Sequence, residues 1–197
     1  MIVIGLTGPT GAGKGLLGQH WQQQGALFID TDRVAREVVQ AGSPALNELV
    51  AAFGEEILDE NGALDRRCMA AKVFTDKDAK DTLERITHPA IFRRCEELIV
   101  ASDASMAVLD APLLFESGCD RLCDVTLAVL SSPQTRLQRI TARDGLDEAR
   151  ALMRMNAQPP DTFYRDRATH TLMNDGDPEE LCRAADAWLT AVKEGSV

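Results

Sequence analysis

The chain has 197 residues, of which 45% are apolar and 26% charged, and a formal net charge of −10. That length suits one globular domain with a sizeable core and room for inserted subdomains. So acidic a surface repels nucleic acid and anionic membrane, and no basic run reverses this, because basic residues come singly or in pairs, as at Arg66/Arg67 and Arg93/Arg94.

In chain order, Ile2 to Thr7 (IVIGLT) is short, β-branched and apolar, which predicts a buried strand. This start has no basic flank and soon breaks at glycines, so a signal peptide is not expected. No run approaches the roughly 20 apolar residues of a membrane helix. A helix is predicted from about Gly13 to Gln24, closed by Gly25, and a second strand over Ala26 to Asp30. From Thr31 to about Val100 the pattern is mainly helical, with turns at Gly42–Pro44 and Asn61–Gly62. Pro89 is expected to begin a helix rather than sit inside one. Met106 to Ala111 and Val125 to Leu130 read as strands three and four. Helix follows from Pro133, Thr169 to Asn174 is a weaker fifth strand, and a last helix runs from about Pro178 to Val192.

Strands alternating with helices predict an α/β fold whose parallel sheet is covered on both faces. The whole chain, 1–197, is read as one domain. Residues 31–104 are too long for a simple crossover and are read as an inserted, substrate-facing helical subdomain; the arginine-rich stretch 139–167 is read as a mobile lid. The five cysteines, Cys68, Cys95, Cys119, Cys123 and Cys182, are odd in number and contain no C-x-x-C pair. That pattern points to reduced thiols and a cytoplasmic setting. Cys119 and Cys123 lack the partner ligands a metal site needs.

Gly8 to Lys14 spells G-x-x-x-x-G-K between a predicted strand and a predicted helix, the context in which this string cradles phosphate. Glycines let successive N–H groups face one anion, and the helix N-terminus adds positive potential. Gly8, Thr10, Gly11, Ala12, Gly13, Lys14, Gly15 and Leu16 are therefore candidate nucleotide-binding residues, with Lys14 reaching the β- and γ-phosphates as a point charge. Gly15 stands where such loops carry a Ser or Thr that ligates Mg²⁺. Its N–H remains, and water can take the missing place, because Mg²⁺ is held by one or two protein groups, water and phosphate oxygens. Asp110, closing the third predicted strand, is the candidate to hold the ion through water; the competing reading is a helix or turn cap.

Further motifs follow in order: IDTDRVAREVV (Ile29 to Val39), FGEEILDENGALDRR (Phe53 to Arg67), His88–Pro89, APLLFE (Ala111 to Glu116) and RITARDGLDEA (Arg139 to Ala149). With the glycine-rich loop, they make the chain closely resemble the dephospho-coenzyme A kinase family from Ile4 to about Gly176. The resemblance implies a P-loop kinase fold, with a five-stranded parallel sheet, a helical CoA-binding subdomain and a lid. It also implies transfer of phosphate from ATP, with Mg²⁺, to the ribose 3′-hydroxyl of dephospho-CoA. ATP and dephospho-CoA would be the partners, and a monomer is favoured. Three positions depart from the family pattern: Gly15 for a serine, Tyr164 for a lysine, and Ala168–Thr169 for Ala-Asp.

The resemblance casts Asp32 as the base near the acceptor hydroxyl, just past the end of strand two, where parallel sheets place ligands. The competing role is N-cap of a helix starting at Arg33. Asp30 either orients nearby groups or ends the strand. Thr7 and Thr10 flank the loop as candidate phosphate or metal-water contacts, Thr7 being placed on the substrate side. Arg139 and Arg143, one helical turn apart, match lid arginines that balance developing charge, with Arg139 counted as catalytic. His88, Pro112 and Leu113 are candidate substrate contacts, and Asn174 and Gly176 candidates for the adenine wall. The alternatives are another small-molecule or nucleoside monophosphate kinase of this fold, or a nucleotide-binding protein that Gly15 has weakened catalytically. A GTP-dependent switch is disfavoured, because no Asn-Lys-x-Asp segment is present to read guanine.

Overall fold

The computed structural model describes residues 1–195. Five parallel strands form one sheet: β1 (Ile2–Thr7), β2 (Leu27–Asp30), β3 (Met106–Asp110), β4 (Val125–Leu130) and β5 (His170–Met173), in the order β2-β3-β1-β4-β5. The order reverses at β1, whose C-terminal end lies between β3 and β4. Open α/β sheets bind ligands at such a switch point.

The strands are apolar on both faces because helices cover both. On one side, Ile4, Leu6, Val108, Leu127 and Val129 meet Leu17 and Trp21 of α1 (Lys14–Gln23) and Leu181, Ala185, Trp188 and Leu189 of α9 (Pro178–Lys193). The Trp21 and Trp188 rings lie 6.5 Å apart, and the Trp21 indole N–H donates to Asp186 at 3.0 Å. On the other side, Ile29, Leu109, Ala111 and Leu114 pack on Ile91 and Cys95 of α5 (Lys77–Val100). Helix α2 (Thr31–Glu37) adds Val34 to that same cluster, while α3 (Pro44–Phe53), α4 (Arg66–Thr75) and the first half of α5 gather around a separate apolar cluster that includes Val39, Leu49, Ile57, Met69 and Ile86. Between β4 and β5 run α6 (Pro133–Asp144), α7 (Glu148–Asn156) and α8 (Asp161–Arg165). Ile140, Ala151 and Met155 join α6 to α7, and Tyr164 is buried against Ala128 and Leu130 of β4.

Short polar side chains start most helices by accepting the orphan first-turn N–H groups. Ser43, Asp65, Asp76, Ser132, Asp147 and Asp177 all do so. The expectation for Pro89 is corrected: it lies inside α5, not at a helix start. A proline there removes the N–H that would bond the Arg85 carbonyl, a cost of about 3 kcal/mol. The helix continues because Ile86 is buried in one cluster and Ile91 and Cys95 in the next, so tertiary burial outweighs the local break. Thr169, in place of an acidic residue, donates its hydroxyl to the Thr126 carbonyl at 2.7 Å and accepts the Thr126 N–H at 2.8 Å, leading the chain into β5. Among the described residues, no helix is long and apolar enough to cross a membrane.

Candidate active site

The glycine-rich loop joins β1 to α1. Gly13 is the N-cap of α1 with φ of 105°, and a Cβ there would run into the Asn174 amide. Gly8 has φ of 134°, and a Cβ would strike the Val129 carbonyl. Both positions are closed to other residues by conformation and by space. A cavity of about 620 Å³ opens in front of the loop, walled by Thr10, Gly11, Gly13, Lys14 and Gly15. Asp32, Asp110, Pro112 and Leu113 close one side of it, and Arg143, Arg154, Ala157 and Gln158 the other. The first N–H groups of α1 have no intrahelical partners, so Lys14 and Gly15 present theirs at the mouth of a helix whose dipole favours anions.

The sequence candidates divide by face. Gly8, Ala12 and Leu16, spaced by four, turn away from the cavity and do not line it. The Gly8 carbonyl accepts Lys14 Nζ at 2.6 Å. Ala12 is buried, and its carbonyl accepts the Asn174 amide at 2.7 Å. Leu16 packs against the core and donates its N–H to Gly13. Asn174, expected beside adenine, is instead a buried brace behind the loop, because β5 ends next to it. Arg139 stands against the loop itself. Its guanidinium reaches the carbonyls of Gly11 and Ala12 at 3.4 and 3.5 Å and does not wall the cavity, whereas Arg143, one turn on, does. The orientation of α6, fixed by buried Arg136 and Ile140, separates the two. Thr7 is fully buried at the end of β1 and does not reach the acceptor side.

Asp30 is the N-cap of α2, accepting N–H groups of Asp32 and Arg33 at 2.9 and 3.2 Å. The helix begins at Thr31, two residues earlier than the capping reading of Asp32 required. Asp32 is thereby released from capping and stands exposed in the cavity wall. It also lines a smaller cavity of about 70 Å³ together with His88, Pro112 and Leu113. The three expected substrate contacts thus meet beside the expected base.

Burial lowers the Lys14 ammonium below its ordinary value, against the pull of Asp110 and Asp32. Burial also pushes the Asp110 carboxyl up to about 6; Lys14 opposes the rise, and Asp30 and Asp32 add to it. One Asp110 oxygen and the Thr7 hydroxyl are buried without a partner at neighbouring strand ends, where Leu6 pairs with Asp110. A carboxylate raised by desolvation and by like charge gains from a cation, so these residues fit Mg²⁺. Among the described residues there is no cluster of three or more His, Cys, Asp or Glu positioned to hold a metal. Gly15 has ordinary helical backbone, and a Cβ there meets nothing within 4 Å.

Sequence reasoning missed Arg154 and Gln158 as site residues. The Thr10 N–H donates to Gln158 at 2.8 Å across 148 residues. Asp144 holds Arg143 at 2.7 Å and Arg154 at 2.8 Å, so one carboxylate fixes both cavity arginines. The signal available was Pro159–Pro160, which pins the chain directly after Gln158.

A phosphate-binding loop at the switch point of a five-stranded parallel sheet, facing a carboxylate across one cavity, defines a P-loop kinase. The family model for dephospho-CoA kinase matches residues 2–180. Dephospho-CoA kinase of Syntrophotalea carbinolica is 42% identical over 183 residues, 91% of this chain and 87% of its own. That of Mycobacterium tuberculosis is 44% identical over 195 residues, 98% of this chain and 48% of its own, so the chain spans about half of that relative. The crystal structure of TT1252 from Thermus thermophilus superposes with a TM-score of 0.81 at 35% identity, covering 96% of each chain. The chain belongs to the dephospho-CoA kinase family, whose role is the final phosphorylation of coenzyme A synthesis.

Proposed function

We propose that the chain moves the γ-phosphoryl group of ATP to the ribose 3′-hydroxyl of dephospho-CoA, with Asp32 as the base, α2–α5 as the acceptor-binding part and α6–α8 as the lid. The observation that carries this reading is the position of Asp32: free of capping, and shared by the cavity in front of the phosphate loop and the small one containing His88, Pro112 and Leu113. Phosphoryl transfer needs positioning and charge neutralisation more than covalent chemistry. The loop N–H groups and Lys14 hold the β- and γ-phosphates. Arg143 and Arg154, oriented by Asp144, face the same cavity from the lid side and offset charge building on the transferring oxygens. Asp32 accepts the proton of the 3′-hydroxyl as that oxygen bonds to the γ-phosphorus and the bond to the ADP oxygen breaks. Asp110, beside Thr7, would hold Mg²⁺ directly or through water; the ion supplies neutralisation of phosphate charge.

The test is a coupled assay of ADP release with ATP, dephospho-CoA and Mg²⁺, on the wild type, Lys14→Ala and Asp32→Asn. Asn keeps the shape of Asp32 but takes no proton at neutral pH. Turnover in Asp32→Asn should fall about 10²–10⁴-fold with ATP affinity retained, and Lys14→Ala should lose nearly all transfer while staying folded. Wild-type turnover in either variant would overturn the assigned role.

A further inference from the structure

We propose that an arginine-walled cavity opening from the Asp32 site is the subsite for the acceptor's 5′-diphosphate, an inference that rests on the acceptor reading above. The small cavity at Asp32 is a junction. It shares Asp32, Pro112 and Leu113 with the cavity at the phosphate loop, and Ala35 and Ile91 with an apolar pocket of about 290 Å³. Through His88 and Ser117 it meets a third cavity of about 530 Å³.

That third cavity is walled by Arg85, Arg93 and Arg121. Arg85, His88 and Phe92 fall at helical spacing on one face of α5. Arg121 comes from the one-turn helix Cys119–Leu122; its guanidinium lies 5.4 Å from the Phe92 ring centre, and its Nε donates to the Gly118 carbonyl at 3.2 Å. The adjoining Arg94 is already engaged by Glu37 at 2.6 Å and Glu97 at 3.1 Å. Arg85, Arg93 and Arg121 have no carboxylate partner among the described residues. Glu84, the one carboxylate on the wall, is paired with Lys80 at 3.5 Å.

Three unpaired guanidiniums at one cavity repel one another, and a polyanion relieves that repulsion. Their planar forks match phosphate oxygens two at a time. A ribose whose 3′-hydroxyl meets Asp32 carries, besides its small 2′-hydroxyl, two bulky substituents: the purine and the 5′-diphosphate that leads to the pantetheine arm. The pocket lined by Leu64, Met69, Val73 and Leu83 suits the purine, with Arg66 as the only charged group in its lining. The diphosphate goes to the arginines.

The test compares the wild type with Arg85→Glu, Arg93→Glu, Arg121→Ala and Arg121→Lys. The first two replace exposed side chains, and circular dichroism checks that every variant folds. KM is measured for dephospho-CoA and for ATP, and calorimetry measures Kd for dephospho-CoA and for adenosine, which lacks the diphosphate. Charged hydrogen bonds of this kind predict a rise of about ten- to hundred-fold in KM and Kd for dephospho-CoA. ATP and adenosine should be unaffected, and Arg121→Lys should be milder than Arg121→Ala. Unchanged dephospho-CoA values, or an equal rise for adenosine, would overturn the subsite while leaving the activity standing. No turnover of dephospho-CoA by the wild type would instead overturn the acceptor reading, and the subsite with it.

Discussion

At the scale of single residues, Gly15 is the departure with the clearest consequence. Its backbone is helical and its surroundings are open, so Gly15→Ser adds a hydroxyl without strain. Serine is the better helix former by a few tenths of a kcal/mol, and the oxygen takes the place of one water around Mg²⁺. The variant should reach half-maximal activity at lower Mg²⁺, read by titrating Mg²⁺ at fixed ATP; a raised requirement would place the hydroxyl away from the ion. Asp110 gives a stability test. Its folded value of about 6 lies above the ordinary carboxylate value of about 3.9. Between those values the folded state binds the proton more tightly, so stability falls as pH rises through the window, and the loss is complete above about 6. Asp110→Asn removes that loss, partly offset because Lys14 loses an attractive neighbour. Melting in EDTA should show the variant about 2–4 °C more stable at pH 8, with the difference gone near pH 4. The placement of Gly15 in the first turn of α1 and of Asp110 at the end of β3 was legible because strand, loop and spacing are local. That of Asn174 was not, since its partner Ala12 lies 162 residues away and only the packing of β5 beside the loop brings them together.

At the scale of elements, the strands and most helices were legible because each carries its own signal: apolar runs for β1, β3 and β4, and Ser-Pro or Asp-Pro starts for α3, α6 and α9. α5 was misread at Pro89, since a proline is a local signal for a helix start and the burial of Ile86, Ile91 and Cys95 that overrides it is not local. Pro89→Ala restores a donor for the Arg85 carbonyl. The gain of about 3 kcal/mol is reduced by the greater freedom of alanine in the unfolded chain, about 0.4–1 kcal/mol, leaving roughly 2 kcal/mol. Thermal melting should therefore rise by a few degrees. Pro89 also walls the arginine cavity, so a straighter α5 should raise KM for dephospho-CoA while KM for ATP stays put. A lower melting point would mean that the break is built into the packing on both sides of it.

For the whole molecule, α5 is the member common to two cores, with Ile86 in the cluster of α3 and α4 and Ile91 and Cys95 beneath the sheet. Melting one half of this helix exposes the other, so the ligand-free protein should unfold in one step. Scanning calorimetry checks this: the calorimetric and van't Hoff enthalpies should agree, and an early, separate peak would show that α3 and α4 melt alone. The two tryptophans, Trp21 and Trp188, both lie on the α1 and α9 side of the sheet, and the single tyrosine, Tyr164, is buried against β4. Tryptophan and tyrosine are therefore confined to α1, α9 and the segment beside β4, and α2–α5 carry phenylalanine as their only aromatic chromophore. Tryptophan emission will follow events at α1, whose first turn would meet the phosphates in the proposed reading, and pass over events around α5. Phe92→Trp would add a reporter beside the Arg121 guanidinium, read as the difference in emission between the variant and the wild type.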